Sequence, residues 1–141
     1  MKRILAFDLG EKRIGLAISD ELGFTAQRLP NLERKSARED MVYIRDLIHR
    51  YNIEAVVVGL PRHMSGAVGK GGEEALRFAE EIKKEFRLPV VTWDERLTTR
   101  YADRTLIDLG LKRKKRRQII DGVSAQLILQ SYLDSLKCVP K

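Results

Sequence analysis

The chain opens on apolar stretches that are too short and too regularly interrupted to be helices. RILAFDL, RIGLAIS and a segment around TAQRLPNLER are separated by Gly10-Glu11-Lys12 and Glu21-Leu22-Gly23, which read as turns. Links this short join neighbouring strands antiparallel, so the first third predicts a meander. The period then changes. Ser36-Ala37-Arg38-Glu39 has the form of a helix capping box, and Met41, Ile44, Ile48 and Tyr51 follow at helical spacing, which predicts a helix from about Ser36 to Tyr51. Ala55-Val56-Val57-Val58, ahead of Gly59, is a short continuous apolar run expected of a strand covered on both faces, at the centre of the sheet. A glycine-rich loop from Pro61 to Gly72 leads into a second helix marked by Ala75, Ala79, Ile82 and Phe86, and then into the strand LPVVTW. Leu97 to Leu109 predicts a third helix ended by Gly110, and a basic run enters a last helix carrying Ile120, Val123, Leu127 and Ile128.

Three strands, helix, strand, helix, strand and two helices describe an antiparallel meander extended by two parallel βα units. The expected fold is α/β: an RNase H-like mixed five-stranded sheet, with strands 1–3 as the meander, strands 4 and 5 parallel, and helices on both faces. A flavodoxin-like doubly wound sheet competes, but it needs a crossover helix between Leu9 and Arg13, where only three residues are available. At 141 residues the chain has room for one such domain, residues 1–141, and no repeat or linker divides it.

Charge narrows the partners. Lys and Arg number 27 against 20 Asp and Glu, a net charge of +7, which favours a polyanion such as nucleic acid over a neutral metabolite. No apolar run approaches the ~18 residues needed to span a bilayer, and the chain enters its first strand directly, so no membrane partner is expected. The single cysteine, Cys138, allows neither an intrachain disulfide nor a cysteine-based zinc site, which fits a cytoplasmic protein.

Three acids stand at places where chemistry collects. Asp8 ends an apolar strand, where an unpaired carboxylate is costly to desolvate. Taken alone, an aspartate capping a turn through Gly10 explains it equally well. LPVVTW runs into Asp94-Glu95-Arg96, at the carboxyl edge of a parallel strand where ligands gather in open α/β sheets. Successive residues of an extended chain point to opposite faces, so one of the two acids faces the site. Glu95 is the favoured one and Asp94 the alternative ligand; a surface ion pair or a helix start is the plainer use of either. Asp121, on the last helix beside the stripe of Ile120, Val123 and Leu127, is the third acid. Clustered carboxylates with one or two Mg2+ or Mn2+ ions are what in-line phosphodiester hydrolysis requires, and hard oxygen ligands without cysteine argue against zinc.

FDLGEKRIGLAISD, VVVGLP followed by a glycine loop, VVTWDERLTT and DGVSAQLILQSYL, in this order and over nearly the whole chain, resemble the YqgF/RuvX family of pre-16S rRNA nucleases, also called Holliday junction resolvase-like proteins. The resemblance implies an RNase H-like fold, a divalent-metal nuclease, a cytoplasmic location and a part in ribosomal RNA maturation at the 5′ end of pre-16S rRNA. Matched by motif, the family's active-site acids fall on Asp8, Glu95 and Asp121, which serve as both catalytic residues and metal ligands. More distant RuvC-like junction resolvases carry a Glu at the end of the fourth strand, where this chain has Gly59-Leu60-Pro61, and a second acid on the last helix, where it has Ser124.

Cations supply the binding elements. Lys112-Arg113-Lys114-Lys115-Arg116-Arg117 precede the helix of Asp121, and six like charges in a row require a compensating partner such as a phosphate backbone. Arg13 and Arg96 are further candidates for phosphates, or else pair with nearby acids. The loop RHMSGAVGKGG is not a P-loop, because Gly71 follows Lys70 where Ser or Thr is needed; it reads either as a lid over the site or as a plain connector. His49 and His63 are isolated. The expected partner is RNA, with a DNA junction as the same-class alternative and a non-catalytic nucleic-acid-binding or transcription-associated factor as the different-class one. Monomer and homodimer both remain open.

Overall fold

The computed structural model describes residues 3–137, leaving aside the side chains of residues 99–101, 117 and 120–122. Strands β1 (Arg3–Leu9), β2 (Arg13–Ser19) and β3 (Ala26–Glu33) come first. Helix α1 (Ala37–Arg50), strand β4 (Ile53–Leu60), helix α2 (Lys70–Phe86) and strand β5 (Val90–Asp94) follow, and then helices α3 (Glu95–Asp108), α4 (Arg113–Gly122) and α5 (Ser124–Lys137). The strands form one sheet of order β3-β2-β1-β4-β5. β1–β2 and β2–β3 pair antiparallel, while β1–β4 and β4–β5 pair parallel. This is the expected meander extended by two βα units.

The middle strand is β1, not the valine run of β4 that the sequence placed at the centre. Both strands are paired on each side and buried on both faces, so hydrophobicity does not rank one above the other. Alternate residues divide the core in two. On one face Leu5, Phe7, Val56 and Val58 pack against Ile44 and Leu47 of α1 and Phe78 and Ile82 of α2. On the other, Ala6, Ala17 and Val57 meet Ile128, Leu129 and Leu133 of α5. Burying each of these large side chains contributes about 1.5–3 kcal/mol. The two alanines keep the second face low, so α5 lies close against β1 and β2. Asp8 is two residues beyond Ala6 and therefore stands on that same α5 face, at the carboxyl end of β1.

Ser36 caps α1 as the sequence indicates, its hydroxyl accepting a 3.1 Å hydrogen bond from the Glu39 amide. Helix α2 starts earlier than expected, at Lys70, and takes Gly71 and Gly72 out of the loop. A Cβ at Gly72 would stand 2.7 Å from the Pro61 carbonyl oxygen, so this first turn needs a glycine to pack there. The expected single last helix is two, α4 and α5, separated at Val123 after Gly122, a residue that weakens a helix interior. The break resets the helical phase. The buried side of α5 is Ala125, Ile128, Leu129 and Leu133, while Val123 and Leu127 are only half-buried. Among the described residues no helix is long and apolar enough to cross a membrane.

Candidate active site

Phe7 pairs with Val58 in the parallel β1–β4 ladder, so Asp8 and Gly59 are the next residues of two adjacent strands. Leu60 pairs with Asp94 across β4–β5, which brings the start of α3 to the same sheet edge. The side chain of Glu95 fills the space above Gly59: a Cβ on that glycine would lie 2.6 Å from Glu95 Oε1 and 2.6 Å from Ile128 Cδ1. Gly59 is thus the room in which Glu95 sits. The carboxylate that fills this room comes from the first residue of α3, directly after β5.

Glu95 and Asp8 face each other. Burial, a hydrogen bond with Asp8 and the negative charges of Asp8 and Asp94 push the Glu95 carboxyl up to about 8. A neighbouring carboxylate disfavours the charged form of Glu95, and a cation between the two would favour it. Asp94 does a different job. Its carboxylate accepts from the Arg96 backbone amide at 2.9 Å and caps α3, and it binds the Arg96 guanidinium through Nε at 3.1 Å and Nη2 at 2.7 Å. These bonds hold the Asp94 carboxyl below the usual carboxylate range. The orientation of Glu95 therefore comes from its place as the first residue of a capped helix. The sequence pattern starts α3 at Leu97 and relies on strand alternation instead.

The remaining candidates divide. Asp121 falls in α4, but its side chain lies outside the described residues. Arg96 is engaged by Asp94, and Arg13 makes a loose 3.5 Å contact with exposed Glu33. Of the basic run, Lys112, Arg113, Lys114 and Lys115 are exposed. Arg116 is turned inward, its Nε donating to Asp103 at 2.6 Å and its Nη1 to the Leu111 carbonyl at 2.8 Å. The Arg117 side chain lies outside the described residues. The run is not a free solvated stretch, because α4 begins within it at Arg113.

The loop before α2 is tied to itself. His63 donates its amide to the Ala67 carbonyl at 3.0 Å, Gly66 donates to the His63 carbonyl at 2.8 Å, and Arg62 reaches the Gly66 carbonyl at 3.0 Å. It borders the site at Arg96, whose Nη1 is 3.6 Å from where a Gly66 Cβ would be. Two features of the site are not legible in the sequence pattern. Thr98, one turn beyond Glu95 on α3, is buried, and its hydroxyl has no hydrogen-bond partner among the described residues. Gly59 reads in the sequence as a missing acid, although an acid following the partner strand is the sign that a glycine there makes room.

The donor set suits a hard divalent ion. Mg2+ or Mn2+ takes one or two protein carboxylates and completes its shell with water and phosphate oxygens, and the facing carboxyls of Asp8 and Glu95 offer oxygen donors to such an ion.

Known proteins resemble this chain at both levels, sequence and fold. A family profile described as "RuvX: Holliday junction resolvase" matches residues 2–135. A protein of Clostridium novyi named "Putative pre-16S rRNA nuclease" is 44% identical over 134 residues, covering 95% of this chain and 99% of the relative. One of the same name from Caldanaerobacter subterraneus is 47% identical over 136 residues, covering 96% and 98%. Among solved structures, Thermus thermophilus RuvC in complex with a Holliday junction substrate aligns with a TM-score of 0.59 and 17% identity, over 100% of this chain and 99% of that one. At that identity the likeness speaks for the fold, which is RNase H-like.

Proposed function

This chain belongs to the RuvX family, and on that premise we propose that it is a metal-dependent nuclease that hydrolyses phosphodiester bonds in pre-16S rRNA, at its 5′ end, in the cytoplasm. The observation that carries this reading is the meeting of Asp8 and Glu95, two carboxyls held face to face at the carboxyl edge of the sheet. A protein that only binds nucleic acid has no need of such a costly pair. Asp8 and Glu95 would hold Mg2+ or Mn2+, with Asp121 as the third carboxylate. When bound, the ion activates water and neutralises charge on the leaving oxygen.

The chain's own residues prepare that chemistry. Asp94 fixes the first turn of α3 and, by engaging Arg96, leaves Glu95 as the acid turned toward Asp8. Gly59 keeps the space open. Without a cation the Glu95 carboxyl is held toward its protonated form, and a bound cation would favour its charged form. The exposed cations at the start of α4 bind substrate phosphates, and each phosphate neutralised adds to affinity.

The names of the relatives favour RNA, while the description of the family profile keeps a DNA junction in view. A side-by-side assay with Mn2+ at matched salt, on a pre-16S 5′ leader and a mobile four-way DNA junction, separates the two. Cleavage of the leader is expected; paired symmetric nicks in the junction with an intact leader would replace the RNA assignment by a resolvase one.

A further inference from the structure

A cavity of about 320 Å3 lies beside Asp8, bounded by β2, β3 and the first turn of α5. Its size is at the low end of small-ligand sites, roughly 300–1,000 Å3. Lys12 from the β1–β2 turn, Arg13 from β2 and Arg28 from β3 line it, together with Asn31 and Gln126; Asp8 is the acid of the lining. Asp8 pairs with Gly15, and Ala17 pairs with Arg28, so the cations stand one and two strands away from the carboxylate on the flank opposite β5. Among the described residues Lys12 and Arg28 have no ion pair, and the contact of Arg13 with Glu33 is long and exposed. The fold does not use this charge. Three cations against one carboxylate around an open cavity leave a net positive charge, and an anion in the cavity relieves their mutual repulsion.

We propose that this cavity is a second phosphate-binding subsite, holding the sugar-phosphate backbone of a single RNA strand on the β2–β3 side of the bond cleaved at Asp8. It rests on the nuclease reading above and adds to it where the substrate runs. The lining favours backbone over base, because it offers cations and side-chain amides but no aromatic ring on which a base stacks. Its cations come from the β1–β2 turn, β2 and β3, and none of the basic run at the start of α4 lines it.

The test is a Lys12→Ala/Arg28→Ala double variant compared with a charge-matched control, Lys83→Ala/Lys84→Ala on α2, across the sheet. Binding of a fluorescent single-stranded RNA of about 20 nucleotides is followed against salt with Ca2+ in place of Mn2+, and cleavage is followed with Mn2+. The slope of log binding constant against log salt should fall by about 1.4 in the double variant, which is about 0.7 for each of two phosphates left without its cation. KM should rise at least about fivefold while kcat stays within about twofold, and the control should keep the parent slope. An unchanged slope and KM, or an equal loss in the control, overturns the subsite. The two readings fail separately: a parent protein that does not cleave, with a slope that still falls in the variant, removes the nuclease and leaves an RNA-binding cavity. A parent that cleaves, with a variant of unchanged slope, removes the cavity alone.

Discussion

Glu95 has the most perturbed environment in the site, and its proton has consequences for stability. It ionises near 4.5 in the unfolded chain and at about 8 in the folded, metal-free one. Between those values the folded protein binds more protons, so the stability present below pH 4.5 is lost as pH rises through 8. The thermal midpoint of the metal-free protein should therefore fall over this window by more than that of Glu95→Gln, which cannot ionise there. A difference of a few kcal/mol at pH 8.5 is expected. Parallel curves for the two proteins would show that Glu95 is not held against Asp8. Gly59 tests the same contact from below. In Gly59→Ala the new Cβ displaces the flexible end of Glu95 and presses on Ile128 Cδ1, at a stability cost of about 1–3 kcal/mol. Cleavage should fall by roughly 100-fold, since a shift of about 1 Å in a reacting group has an effect of that order. Activity within twofold of the parent would mean that Glu95 is placed by something other than this gap.

Elements were legible in the sequence where one signal acted alone. The Ser36 hydroxyl cap and the helical spacing behind it define α1, and the apolar run RILAFDL ahead of the Gly10 turn defines β1 with Asp8 near its carboxyl end. Legibility failed where two residues negotiate in space. Asp94 reads as a strand-end acid, and only its bonds to the Arg96 amide and guanidinium turn it into the cap that starts α3 early and aims Glu95. The phase of α5 departs from the sequence pattern because the helix breaks at Val123, so periodicity counted through Ile120 does not carry over. Arg116 is the clearest case: in sequence it is one of six equal cations, and in space it ties α4 to Asp103 of α3. Arg116→Ala should thus lower the thermal midpoint, by about 1–3 kcal/mol of stability for a charge-assisted pair of which one partner is partly buried. Lys114→Ala/Lys115→Ala should leave the midpoint within about 0.5 kcal/mol and weaken RNA binding instead. Thermal melts and salt-dependent binding on the same preparations separate these roles, and reversed effects would contradict the assignment.

At the scale of the whole molecule, the sheet order brings to one edge three positions far apart in sequence: Asp8 from β1, the gap at Gly59 from β4 and Glu95 from the β5–α3 junction. Cations stand around that edge, from the β1–β2 turn, β2 and β3 beside Asp8 and from the start of α4, which packs against α3 and α5. The net charge of +7 then has a direction, because uncompensated cations stand beside the carboxylates that would cut the polyanion they attract. The central claim is that the facing carboxyls of Asp8 and Glu95 are the machinery of cleavage and not a burden the fold tolerates. The most direct measurement is the Mn2+-dependent single-turnover rate on a pre-16S 5′ leader for the parent, Asp8→Asn and Glu95→Gln, with RNA affinity measured in parallel in Ca2+. The account predicts a loss of rate of at least about 1,000-fold in each variant with affinity changed by less than about threefold; undiminished turnover in either variant would contradict it.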